Sequence, residues 1–293
     1  MSAPLTCLAY AKINLYLEVL NQRRDGYHNL ESIFQSVSLA DELRFELRDS
    51  RLTLECAHPE LPRDASNLVL RAAELLRERT GCLRGAHIVL LKRIPMAAGL
   101  AGGSADAAAT LTVLNRLWEI HLPVSRLLEL ALDIGSDVPY CLTGGAKAGR
   151  LRGQDLFPLY PPVSLWYVLV HPPVKIRTRD VFTSPGMECN MQRPFAGWTR
   201  AFRTARRAFE SGDMAGAVFN RLERVVFGLH PELAEIKTRL LNTGCVTAAM
   251  SGSGPTVFGI CTSYEQAEAA ARSFSDYSTS VTCPTRVGVN IRE

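Results

Sequence analysis

The sequence predicts an α+β fold built in two parts, and three observations carry that reading. Strand-like alternation of apolar and polar residues fills the first sixty positions. Helical periodicity interleaved with short apolar runs follows. The texture then changes after Gly153, where Pro158, Pro161 and Pro162 cluster. Antiparallel strand patterns mixed with helices, rather than strict βαβ alternation, are the mark of α+β chains. With 293 residues, 47% hydrophobic and 21% charged, the chain can bury one large core or two smaller ones. The composition shift places a first part at 1–155 and a second at 156–293.

Each element has its own warrant. Thr6 to Leu17 and Asn29 to Leu39 read as strands flanking NQRRDGYH, in which Asp25-Gly26 is a turn signal. Leu43, Phe45 and Leu47 alternate with polar residues, as do Leu52, Leu54 and Cys56. Ser66 or Asn67 can cap a helix carrying Leu68, Ala72, Leu75 and Leu76, with Gly81 past its end. Ala86 to Leu91 reads as a buried strand. Leu111, Val113, Leu114, Leu117 and Trp118 recur at helical spacing. A helix from Ser125 to Ile134 and a strand from Val138 to Leu142 complete the first part. The second part holds a strand at Leu165 to Val170 and helices over 197–210, 213–217 and 231–242. A strand-loop-strand around SGSGP (Ser251 to Pro255), a helix over 264–274 and terminal strands finish it.

The most informative stretch joins the buried strand to the long helix: PMAAGLAGGSADAA, from Pro95 to Ala108. A strand, a loop of small residues and a helix N-terminus bring backbone N–H groups and a partial positive charge to one place, which suits a phosphate. Glycine lets the backbone approach such a guest closely. The loop is not a Walker loop, because no lysine follows Gly102 or Gly103. It is not a dinucleotide fingerprint, because Gly99-Leu100-Ala101 breaks that register. Composition alone leaves a second reading open, a tight turn before a close-packed, alanine-rich helix.

Other features narrow the class. A net charge of +4 with no basic run or aromatic-studded stripe speaks against nucleic acid as a partner. Eight scattered cysteines form no CxxC pair, so zinc and a disulfide framework are not expected. Lys12 and Glu18 interrupt the apolar positions of the first segment, unlike a signal peptide. No apolar run reaches the roughly 20 residues that span a bilayer. A cytoplasmic protein with no membrane partner, a monomer or weak homodimer, is the expectation.

Three residues or groups stand out beside the loop. Lys12 lies inside AYAKINLYLEV, either as an outward solvated residue or as a buried functional cation. Asp137, in GSDVP, is either a turn or capping aspartate or a chemical group. SGSGP is either a hairpin turn or a second N–H-rich loop.

Together with the segments RRDGYHNLESIFQSV, SNLVLRAAELL, DIGSDVPYCLTGG and HPPVKIRT, these features occur in the order found in one family. The chain resembles the GHMP small-molecule kinases, whose loop reads Pro-x-Gly-(Ala/Gly)-Gly-Leu-Gly-x-x-Ser-Ser. The resemblance implies an N-terminal lobe like the second domain of ribosomal protein S5, with a left-handed βαβ crossover, and a C-terminal ferredoxin-like lobe. It implies ATP as co-substrate and Mg²⁺. The loop Pro95, Met96, Ala97, Ala98, Gly99, Leu100, Ala101, Gly102, Gly103, Ser104 and Ala105 would hold the nucleotide, with Ser104 the candidate for the metal. Asp137 would be the general base, with Lys12 beside it keeping it ionised.

Within the family, the resemblance points to a small-molecule alcohol carried on cytidine diphosphate. It implies that Tyr27 and Phe182 sandwich the cytosine and that His28 bonds its edge. Asn14, Thr178, Gly252, Ser253 and Gly254 would complete the substrate site. A different alcohol, or a non-catalytic nucleotide sensor, are the alternatives. Lys12 and Asp137 together argue against the sensor, and Tyr27-His28 against other alcohols. Ala97 and Ala101 stand where the family has glycine, and Ala105 where it has serine. Either those alanines keep ordinary dihedrals, or the loop has a different shape.

Overall fold

A computed structural model describes residues 3–161, 165–190 and 197–292. Pro162 of the proline cluster lies outside them. The chain opens with two long strands, β1 (Leu5–Gln22) and β2 (His28–Arg48), joined by the Asp25-Gly26 turn. The expected strands over 29–39 and 43–47 are thus one continuous β2. Its first half pairs with one neighbour and its second half with another, so no break falls between them.

Strand β3 (Leu52–Cys56), helix α1 (Leu68–Thr80) and β4 (Gly85–Leu91) form a parallel crossover unit. Asn67 caps α1 by accepting from Val69 N, and Gly81 ends it in the left-handed region at φ 67°. Helices α2 (Gly102–Leu117), α3 (Val124–Ile134) and α4 (Val138–Thr143) follow. Helix α4 replaces the expected strand at Val138 to Leu142. Pro139 sits in its first turn, where a missing N–H costs no hydrogen bond. Val138, Pro139, Tyr140 and Cys141 are all buried, and so short an apolar run does not separate a strand from a helix.

Strands β5 (Ala146–Leu151), β6 (Asp155–Pro158) and β7 (Trp166–His171) come next. Then follow α5 (Thr178–Phe182), α6 (Arg200–Ser211), α7 (Met214–Ala217), β8 (Phe219–Asn220), α8 (Glu223–Leu229) and α9 (Pro231–Asn242). The chain ends with β9 (Thr247–Met250), β10 (Val257–Cys261), α10 (Tyr264–Arg272), β11 (Ser278–Thr282) and β12 (Val289–Arg292).

The described strands form two sheets. The first runs β12-β1-β2-β4-β3, with β5 on β2, β6 on β5 and β8 on β1. It therefore continues past residue 155 through β6 and recovers β12 from the far end of the chain. The second is antiparallel, β11-β7-β10-β9. Alternate residues of β7 enter two different cores. Val168 and Val170 pack with Leu233, Ile236 and Leu240 of α9 and Ala267 and Ala270 of α10. Tyr167 and Leu169 pack with Ile13 and Leu15 of β1 and Phe202 and Phe209 of α6. Burial on both faces explains why this strand is apolar from Trp166 to Val170. The core shared by the two sheets brings their loops together at one cleft.

Candidate active site

The cleft is a cavity of about 1300 Å³, large enough for more than one small molecule. Its floor is the loop before α2. Ala101, the N-cap of α2, has φ 56° and offers no side-chain cap, so the first N–H groups of α2 have no side-chain acceptor. That is the condition for binding an anion at a helix start. The dihedral alternative is decided: Ala97 at φ 51° and Ala101 at φ 56° both occupy the left-handed region, at about 1–2 kcal/mol each.

Gly99, at φ 73°, is fixed by its surroundings. A Cβ there would lie 2.1 Å from Ser251 O. Its carbonyl accepts from Lys12 Nζ at 3.0 Å and from Ser251 Oγ at 2.9 Å. The two small-residue loops therefore dock on each other through Gly99. Gly252, at φ 57°, leaves the room above Asn14 and Lys12 that a Cβ would partly fill.

Lys12 is buried, which settles its two readings in favour of the buried cation. A register shift in the β1–β2 pairing falls at Tyr10/Lys12, where a bulge can re-aim a side chain. Besides Gly99 O, Nζ donates to Asn14 Oδ1 at 2.6 Å, and Asn14 Nδ2 donates to Ser32 Oγ at 2.8 Å. Asp137 precedes α4 without a capping bond from its side chain, so the capping reading fails. It lines the same cavity as Lys12. Among the described residues, no direct ion pair joins the two.

The rim carries the aromatic residues. Tyr27 is 52% exposed and follows a turn knitted by Asp25 Oδ1, which accepts from Tyr27 N at 3.1 Å. His28 and Phe182 touch, with ring centroids 5.0 Å apart. Burial lowers the pKa of His28 and keeps the ring neutral at pH 7, able both to donate and to accept. Phe182 also packs on the core that β7 shares with α9 and α10, so it serves rim and core together. Thr178 Oγ1 meets Ser253 Oγ at 2.8 Å, and both line the cavity with Gly252 and Gly254.

Nearly all the expected site residues thus share one cavity, with two corrections. Leu100 and Ala105 do not line it. The Leu100 side chain is buried with Ile13 and Phe258, and Ala105 with Leu76 and Leu90. Leu100 contributes only its carbonyl, which accepts from Lys12 N at 3.1 Å.

The sequence reading missed a buried charge cluster at the far wall. Lys92 pairs with Asp41 and with Asp106 Oδ2, the latter at 2.9 Å. Asp41 Oδ1 also accepts from Arg93 N and Ile94 N. One cation faces two carboxylates, so burial and Asp41 push the pKa of Asp106 well up. Asp106 Oδ1 is buried without a partner. Arg152, between Tyr27 and Ser136, was also missed. A lone charged residue within GGSADAA was the available signal for Asp106; Arg152 had none.

Known proteins share this chain's sequence pattern and fold. The model of the GHMP kinases N terminal domain matches residues 67–145, and that of the GHMP kinases C terminal domain matches 202–278. The 4-diphosphocytidyl-2-C-methyl-D-erythritol kinase of Pelotomaculum thermopropionicum is 44% identical over 270 residues, 91% of this chain and 92% of that protein. The protein of the same name from Moorella thermoacetica is 45% identical over 271 residues, covering 91% and 93%. A crystal structure of 4-(cytidine 5'-diphospho)-2C-methyl-D-erythritol kinase superposes with TM-score 0.79 at 34% identity, over 95% of this chain and 98% of that one. Homoserine kinase from Cytophaga hutchinsonii shares the fold, with TM-score 0.77 at 22% identity over 100% and 98%.

Proposed function

The chain belongs to the GHMP kinase family, and from that premise we propose that it transfers the γ-phosphoryl group of ATP to the 2-hydroxyl of 4-diphosphocytidyl-2-C-methyl-D-erythritol. One observation carries the reading. A single cavity joins the bare start of α2, the Lys12–Asp137 region and the Tyr27-His28-Phe182 rim. Residues 1–155 and 156–293 serve as its two lobes, with β6 continuing the first sheet and β12 returning to it. No helix among the described residues is long and apolar enough to cross a membrane, and all eight cysteines are free thiols, as a reducing cytoplasm would keep them.

The chemistry follows from the residues. A hydroxyl attacks phosphorus only as its proton is accepted, and Asp137, uncommitted to capping, is the acceptor. Lys12, held by Asn14 and Gly99 O, keeps its charge directed at the reacting oxygen. Phosphoryl transfer otherwise depends on positioning and on neutralising charge. The loop N–H groups around Gly102 and Gly103 supply both to the phosphates. Tyr27 and Phe182 hold the cytosine between them, and neutral His28 reads its edge.

A magnesium ion fits the donors present. The Ser104 hydroxyl and the orphaned Asp106 Oδ1 are hard oxygen ligands beside the loop. So sparse a set suits an ion held mainly by phosphate oxygens and water. When bound, it would lower the negative charge on the transferring group. The test is ADP release by the purified protein with Mg-ATP and a panel of alcohols. Turnover confined to the cytidyl substrate is expected; equal or greater turnover of another alcohol would overturn the reading.

A further inference from the structure

Arg152 lines the cavity between Tyr27 and Ser136, and nothing in the chemistry above uses it. Its guanidinium carbon lies 3.7 Å from the centroid of the Tyr27 ring. This is within the range of cation–π stacking and at ordinary contact distance. Its Nη2 donates to Ser136 Oγ at 2.8 Å, and Ser136 immediately precedes Asp137. The same guanidinium therefore touches the aromatic rim at one end and the turn that carries the base at the other. Its Nε is buried with no partner among the described residues, so the group is held by those two contacts.

The backbone beneath Arg152 is built to hold it there. Leu151, which ends β5, has φ 62°, and Gly153 has φ 101°. A leucine in the left-handed region is strained, and such strain persists only where the surroundings fix it. Here Arg152 N donates to Gln154 Oε1 at 2.8 Å, and Gly153 N donates to Arg150 O at 3.0 Å. A Cβ on Gly149 would lie 2.4 Å from Phe34 Cε2, so the β5–β6 hairpin is pressed directly on that ring. The hairpin thus presents Arg152 to the cleft from a rigid base. The Tyr27 N–H and Arg23 hold down the pKa of Asp25, the carboxylate that knits the turn before Tyr27, and the charge of Arg152 adds the smallest part of that lowering.

We propose that Arg152 is a positioning residue for the cytidyl substrate: it braces one face of Tyr27, leaving the other for the base, and ties that rim to the Ser136-Asp137 turn. A half-exposed tyrosine on a hairpin tip would otherwise sample several rotamers, and ordering it on binding would weaken the stack. The brace makes that ordering part of the folded protein. A flat, delocalised guanidinium can stack and donate at once; an ammonium cannot replace it. The proposal rests on the cytidyl-kinase reading for its substrate, while the brace itself can be observed without any substrate.

Both are tested together. The protein is labelled with 3-fluorotyrosine, and the Tyr27 resonance is assigned by its loss in Tyr27→Phe. In Arg152→Met and Arg152→Lys that resonance should move and narrow toward that of a freely rotating, exposed tyrosine, with the melting temperature unchanged. In kinetics, both variants should raise KM for the cytidyl substrate about tenfold and leave KM for ATP within twofold. Adding Arg152→Met to Tyr27→Ala should raise KM no further, because the brace has nothing left to hold. An unmoved Tyr27 resonance overturns the brace. So does a KM loss that multiplies fully with that of Tyr27→Ala, or that Arg152→Lys restores. Failure of the wild-type protein to phosphorylate the cytidyl substrate would instead refute the assigned function, and the fluorine spectrum would still decide the brace.

Discussion

Replacing Gly99 with alanine should separate the two loops that close the cleft, and the structure sets the size of the effect. The added methyl would fall 2.1 Å from Ser251 O, and the loops would have to part until that contact reached at least 3.4 Å. Alanine at φ 73° costs about 1–2 kcal/mol on its own. Parting the loops breaks the Ser251 Oγ–Gly99 O bond and the charge-assisted Lys12 Nζ–Gly99 O bond, worth about 1 and about 1.5–3 kcal/mol. The sum is about 3.5–6 kcal/mol, and much of it falls on the geometry that would present Lys12 and the loop N–H groups to ATP. Turnover per unit substrate should drop by roughly 10² or more, with a lowered melting temperature. Gly103→Ala is the internal control. Its Cβ would meet only Leu68 Cδ1, at an ordinary 3.5 Å, and alanine there favours the helix by about 0.5–1 kcal/mol. Measured side by side, Gly103→Ala should keep or slightly raise the melting temperature that Gly99→Ala lowers. If Gly99→Ala retains kcat/KM within threefold, the docking of the two loops is not what assembles the site.

With Asp137 as the proposed proton acceptor, Asp137→Asn should lower kcat by roughly 10²–10⁴. Lys12→Ala should also be severe, and the double variant should lose little more than the worse single one; a fully multiplicative loss would mean that the two residues do not act on one step. Ala97→Gly and Ala101→Gly relieve left-handed strain of about 1–2 kcal/mol but free the unfolded chain by about 0.5–1 kcal/mol. Each should therefore raise the melting temperature by a few degrees, and calorimetry showing a fall at both positions would sink the strain argument. Burial pushes His171 down to about 4, whereas an unfolded histidine titrates near 6.5. The unfolded chain takes up the proton first, so this stabilisation is complete above about pH 6.5 and is lost as pH falls toward 4, about 3 kcal/mol in all. His171→Gln, which can still bond Thr256 and Ser280, should flatten the melting curve against pH between 7 and 4.5; a wild-type slope in that variant would exclude His171 as its source.

The parts of this molecule that were legible in the sequence are those whose signals are local. Asn67 and Gly81 bracket α1, Asp25-Gly26 turns β1 into β2, and Pro231 opens α9. Strands β5 and β6 were missed because nothing in AKAGRL alternates; their place is set by pairing with the first half of β2. The site divides in the same way. The small-residue loop declares itself, whereas the partners of Lys92 come from β2 and α2, and Arg152 gains meaning only from Tyr27 and Ser136. The two left-handed alanines show why local rules fail here. Local preference would place glycine at both, and alanine persists because the loop is held from outside. Leu100 O is fixed by Lys12 N, Gly99 O by Lys12 Nζ and Ser251 Oγ, and Ala98 O by Thr256 N. Those anchors come from both lobes. The loop before α2 therefore keeps its strained shape only while these contacts from β1 and from the β9–β10 loop are made, and on the proposed assignment the order of the nucleotide site is coupled to the integrity of the substrate side of the cleft.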